Sequence, residues 1–139
     1  MRLPVRLRRI LPALLAAASL AACGGDDDGM PTPPAPTPAI SITVTNPAPV
    51  VALAIPVGAQ VSIALTRSGG YTGTVTVAAE GLPTGWSASF APAQITTGAG
   101  TLASVTVPGN TARGSYPVTF RATGTGVTAA TGTATITVQ

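Results

Sequence analysis

The chain has 139 residues, a formal net charge of +3, 8% charged and 45% hydrophobic residues, 16 glycines, 14 prolines and one cysteine. It has no histidine, and all seven of its basic residues are arginine, which excludes an imidazole base, a histidine-ligated metal, a lysine Schiff base and a phosphate-gripping ammonium. The length allows one domain of about 100 residues with extensions, and the charge is too low for a disordered acidic or basic chain.

Arg2, Arg6, Arg8 and Arg9 precede an apolar stretch from Ile10 to Ala22. A positive end, a short apolar run and small residues predict a secretory signal peptide over 1–22. The run is well short of the roughly 20 residues that a membrane-spanning helix needs. Cleavage after Ala22 removes four of the seven arginines, leaving three against four carboxylates, so the basicity belongs to the precursor and no nucleic-acid partner is expected.

Leu20-Ala21-Ala22-Cys23 resembles the lipobox of bacterial lipoprotein precursors: an aliphatic residue, two small residues and a cysteine. The resemblance implies diacylglycerol on the Cys23 thiol, cleavage just before Cys23 and acylation, for instance with palmitate, of the new amino terminus. Cys23 is the chain's single cysteine and its predicted lipidation site. Two or three acyl chains anchor stably where one is marginal, so the expected partner of this end is a membrane. Gly24 follows the cysteine, with no aspartate directly beside it. By resemblance to enteric lipoproteins this implies the cell envelope and, within it, the outer membrane of a Gram-negative bacterium.

Residues 23–38 read as a linker. Gly24–Gly29 carries Asp26, Asp27 and Asp28 between glycines, and Met30–Pro38 has five prolines in nine residues. The proline-rich part favours polyproline II, about 28 Å over nine residues. Three adjacent carboxylates lack the spaced, convergent oxygens of a calcium site, so they read as a solvated spacer.

Residues 39–139 read as one all-β domain. They hold 20 threonines and many valines and isoleucines, and the recurring period is two. Val61, Ile63 and Leu65 share one face of 60–66; Val75, Val77 and Ala79 one face of 74–79; Ala103, Val105 and Val107 one face of 101–107. Tyr116, Val118, Phe120 and Ala122 alternate over 115–123, and Ala134, Ile136 and Val138 alternate with threonines at the end of the chain. Residues 40–45, 50–55 and 86–90 add shorter strand candidates. Turn signals separate them at Asn46-Pro47, 56–58, 68–70, 81–85, 98–100, 108–110 and 124–126. Seven or eight short strands, apolar on one face and threonine on the other, predict an antiparallel β-sandwich.

Gly73-Thr-Val-Thr-Val77, Gly81-Leu-Pro-Thr-Gly85, Ala88-Ser-Phe-Ala-Pro92, 101–108 and Gly114-Ser-Tyr-Pro-Val-Thr-Phe120 resemble the immunoglobulin-like domains appended to secreted and surface bacterial proteins. The resemblance covers roughly 40–139 and implies an immunoglobulin-like sandwich acting as spacer, stabiliser, glycan binder or adhesion module. It also puts Tyr116 at a tyrosine corner, two residues before Val118, with its hydroxyl bonded to backbone in the preceding loop.

No catalytic residue, metal ligand or cofactor site is expected. The serines have no base beside them, Glu80 is the domain's single acidic side chain, and Gly124–Ala129 matches a dinucleotide-binding pattern where a strand, not a helix, follows. Thr72–Val77 and Thr131–Ile136 are strands of similar composition, not a repeat. Arg67, Arg113, Arg121 and Glu80 read as solvated, with at most one surface pair. Two readings of function stand: a lipid-anchored structural or protein-interaction module touching another envelope protein, and a glycan- or cell-wall-binding module. The second rests on Tyr71, set among glycines, and Trp86 as candidate ligand-binding residues, since an exposed ring can stack on a sugar face. Trp86 alternates with Ala88 and Phe90, which favours a buried face for it.

Overall fold

Eight strands are laid out in chain order: β1 (Ala39–Thr45), β2 (Val57–Ser68), β3 (Val75–Glu80), β4 (Ser87–Ala91), β5 (Gln94–Ile95), β6 (Gly100–Val107), β7 (Gly114–Gly124) and β8 (Ala130–Val138). The computed structural model describes residues 32–51 and 54–139. The expected signal segment 1–22, Cys23 and the linker as far as Pro31 lie outside the described residues.

The strands form two antiparallel four-stranded sheets, ordered β1-β2-β6-β4 and β5-β3-β7-β8. Each residue set expected to share a face does so. Val61, Ile63, Val75, Ala103, Val105, Val118, Phe120, Ala122, Ala134 and Ile136 are all buried in one core. The intervening serines and threonines of β2, β3 and β4 stand in solvent. Period-two burial follows from the pleat, which turns successive side chains to opposite faces. Phe90 of β4 and Phe120 of β7 meet edge-to-face across the gap between the sheets, with centroids 6.3 Å apart at 87°.

Residues 50–55, expected as a strand, do not form one over their described positions. Val50 makes an isolated parallel bridge to Val138, while Val51 and Ile55 are 60% and 65% exposed. Pro49 and Pro56 flank this stretch, and neither has an N–H for a ladder. Val50 serves the open edge of β8 instead. Its N–H donates to the Thr137 carbonyl and its carbonyl accepts from the Gln139 N–H, both at 2.9 Å. The Thr135 N–H donates to Asn46 Oδ1 at 2.9 Å. Residues 46–50 thus cover backbone groups that an edge strand would otherwise expose. The turn expected at 56–58 is also shorter than its sequence suggests, because β2 starts at Val57 and runs 12 residues.

On the far side the chain crosses between sheets through Ala91–Pro92, a cis peptide bond, into β5. Thr101, a polar residue in the core at 7% exposure, donates its hydroxyl to the Pro92 carbonyl at 2.7 Å and so satisfies itself. Neither this crossing nor the two-residue β5 carries an alternation long enough to read from sequence.

Candidate functional site

The two candidate aromatics lie at opposite ends of the sandwich. Trp86 is delivered by the turn Pro83–Trp86, in which the Trp86 N–H donates to the Pro83 carbonyl at 3.0 Å and Gly85 takes a φ of 82°. Positive φ at the third position of such a turn favours glycine, and the turn then aims the indole inward. Trp86 is 9% exposed and packs on Tyr116, with ring centroids 5.0 Å apart at 47°. The Tyr116 hydroxyl donates to the Ala112 carbonyl at 2.7 Å, the corner bond that the sequence implied. The indole is therefore a core group.

Tyr71 follows the turn of Ser68-Gly69-Gly70, closed by the Tyr71 N–H on the Ser68 carbonyl at 3.2 Å. Both glycines have positive φ, a region that glycine enters without steric cost, and the turn leads the chain from β2 in one sheet towards β3 in the other. The Tyr71 ring is half-buried, and its hydroxyl donates to the Thr74 carbonyl at 3.3 Å. It lies against Gly73 and Gly124, where any side chain would collide with it. Tyr116 and Gly124 are eight residues apart on β7, about 26 Å at strand rise. A sugar platform built from Tyr71 and Trp86 together is not formed.

The end that holds Tyr71 also has a concavity. A cleft of about 350 Å³ is lined by Thr74, Thr76, Thr123, Gly124 and Thr125. Thr76 of β3 faces Thr123 of β7 in register, and the Thr123 hydroxyl donates to the Thr76 carbonyl at 3.4 Å. The missing side chain of Gly124 leaves room for the tyrosine behind the cleft. Sequence reading did not find this site. Thr74 and Thr76 are on the solvent face, as their alternation with Val75 and Val77 implies, but the pairing of β3 with β7 that brings Thr123 and Thr125 beside them is not a local property.

The charged side chains divide. Arg121 and Glu80 form a surface pair, Nη1 to Oε1 at 3.6 Å, each about half exposed. Arg67 departs from the solvated expectation. Its Nη1 and Nη2 donate to the carbonyls of Gly98 and Ile95 at 2.7 and 2.8 Å, and its Nε is buried with no partner among the described residues. Arg67 shares the inward parity of Val61, Ile63 and Leu65 on β2, so at the end of the strand it reaches across to the β5–β6 connection instead of into water. This guanidinium holds the two sheets together at the end where β1 begins, since Ile40 is its register partner. Among the described residues no group of three or more acidic, cysteine or histidine side chains is placed to hold a metal.

No protein-family model and no curated protein matches the sequence. Among solved structures, the chain is similar to a conjugative transposon lipoprotein from Bacteroides eggerthii. The match has 7% identity and a TM-score of 0.46, over 70% of this chain and 95% of that one.

Proposed function

We propose that this chain is a lipid-anchored, non-catalytic module of the bacterial cell envelope, holding an immunoglobulin-like sandwich off a membrane on a proline-rich stalk. The observation that carries the reading is Leu20-Ala21-Ala22-Cys23 after an arginine-led apolar segment, with Cys23 the chain's single thiol. The domain inventory supports the non-catalytic part: no histidine or lysine anywhere, and one acidic side chain in 39–139 that is engaged with Arg121. Two features support the immunoglobulin-like assignment. Setting aside the two-residue β5, which adds to the edge beside β3, the order β1-β2-β6-β4 against β3-β7-β8 matches the four-plus-three order of constant-type immunoglobulin sandwiches, and Tyr116 makes its hydrogen bond near the start of the strand where such domains carry a corner tyrosine.

The module's role is structural or protein-binding, with another envelope protein as partner, and Gly24 after the lipidated cysteine favours the outer membrane. The test is a Cys23→Ala chain expressed in a Gram-negative host. The wild-type chain should partition into detergent and gain the mass of its acyl chains. The variant should stay in the aqueous phase and lack that mass. A variant that still partitions with membranes at unchanged mass would sink the proposal.

A further inference from the structure

We infer that β1 together with residues 46–50 is an exchangeable arm, and that its second seat is the same groove in another copy of this chain. Residues 50–55 carry the apolar run of a strand, yet over their described positions they make one bridge, and Val51 and Ile55 stand 60% and 65% exposed. β-Branched side chains favour extended backbone, and so does the position before a proline, which Ile55 occupies. In the single molecule the chain must nevertheless reverse between Val50 and Val57, because β1 and β2 are antiparallel neighbours in one sheet. Local preference and fold disagree here, and the conflict is relieved when the arm swings out and continues away from β2.

The arm is held by contacts that a second copy supplies unchanged. Ile40 is buried, Ile42 and Val44 pack against the core, and Ala39–Thr45 pairs residue by residue with 62–68 of β2. The seat includes a notch: Gly132 on β8 has no side chain where Val44 Cγ2 lies, and any Cβ there would collide with it. Beyond β1, Val50 bonds to Thr137 and Gln139, and Asn46 accepts from the Thr135 N–H. Exchange of an identical arm keeps all of these, so only the hinge and the loss of independent motion distinguish the two states. Ala39 pairs with Ser68 at one end of β2, and Val57 pairs with Val107 at the other. Copies that trade arms therefore meet at the Val57 end, where Val51 and Ile55 of one copy cover those of the other and leave water. The two tethers then depart from the far ends of the dimer.

The test places a cysteine pair across β1 and β2, Ser41→Cys with Thr66→Cys, in the full-length Cys23→Ala chain, so that only the new thiols can bond and the result does not depend on the anchor. Ser41 and Thr66 are exposed register partners, at a spacing that a disulfide spans. The chain is exported to the oxidising periplasm of a Gram-negative host and run on a non-reducing gel. Exchange joins β1 of each copy to β2 of the other and should give a band at twice the monomer mass. Thr119→Cys with Thr133→Cys joins β7 to β8 inside one body, and should run at the monomer mass. Val51→Asp with Ile55→Asp, added to the β1–β2 pair, should lower the dimer fraction about tenfold, the value of one buried aliphatic side chain over an exposed one. A monomer band alone from the β1–β2 pair would overturn the exchange. An equal dimer band from the β7–β8 pair would do the same, since collision and not exchange would then form the bond. A dimer fraction unmoved by the aspartates would overturn the meeting of copies at Val51 and Ile55.

Discussion

Replacing Tyr116 by phenylalanine separates the corner hydrogen bond from the ring that makes it. The hydroxyl donates to the Ala112 carbonyl at 2.7 Å, and the ring packs on Trp86 at 5.0 Å between centroids. Phenylalanine keeps the second contact and deletes the first. Ala112 is exposed, so water can take the place of the lost donor, and the expected cost is that of an ordinary neutral bond, about 1 kcal/mol. For a domain of this size that lowers Tm by roughly 4–8 °C. Tyr116→Ala removes the ring as well. A half-buried aromatic and its ring pair together contribute about 3 kcal/mol, so the alanine variant should fall roughly three times as far. The lone Trp86 is the probe, since it is 9% exposed when folded and touches the substituted ring. Thermal unfolding followed by its emission reports all three proteins. If the phenylalanine variant melts with the wild type, the corner bond contributes nothing. If it melts as low as the alanine variant, the hydroxyl and not the ring carries the stability; either result refutes the reasoning.

Three further perturbations test other parts of the frame. Phe120→Ala empties the centre of the core, where Phe120 is fully buried and meets Phe90 across the sheets, and should cost about 3–5 kcal/mol in urea unfolding; a loss under about 1 kcal/mol would mean that the sheets are not packed through this ring. Arg67→Lys keeps the charge but cannot reach the Ile95 and Gly98 carbonyls with a two-pronged donor, so hydrogen exchange around 95–100 should quicken, and unchanged protection there would refute the clamp. Glu80→Gln breaks a half-exposed pair and should change stability by under about 0.5 kcal/mol, so a drop of several degrees in Tm would show that the pair is worth more than its exposure implies.

Much of the sandwich was legible because side-chain alternation is a local property. A strand such as 115–123 records its buried face in Tyr116, Val118, Phe120 and Ala122 whatever lies beside it, and the burial of those residues follows the pattern. Residues 50–55 misled because valine and isoleucine favour a pleat in any context, while flanking prolines and the waiting edge of β8 decided that Val50 would make one bridge and no ladder. Arg67 misled for a related reason. Its charge suggested solvent, but its parity on β2 put it on the inner face at the end of the sandwich, where backbone carbonyls of another connection were within reach.

The sequence by itself determined the buried faces of the long strands, most of the turn positions and the segment from Arg2 to Cys23 that carries the proposed anchor, because each is written in residues that are neighbours along the chain. Only the tertiary structure decided what the aromatics and threonines do. It sent Trp86 into the core beside Tyr116 and left Tyr71 against Gly124 at the other end of β7. It also brought Thr74 and Thr76 against Thr123 and Thr125, some 50 positions further along the chain. The choice of which strand pairs with which depends on how two sheets bury their apolar faces together, a condition that no single segment of the chain contains.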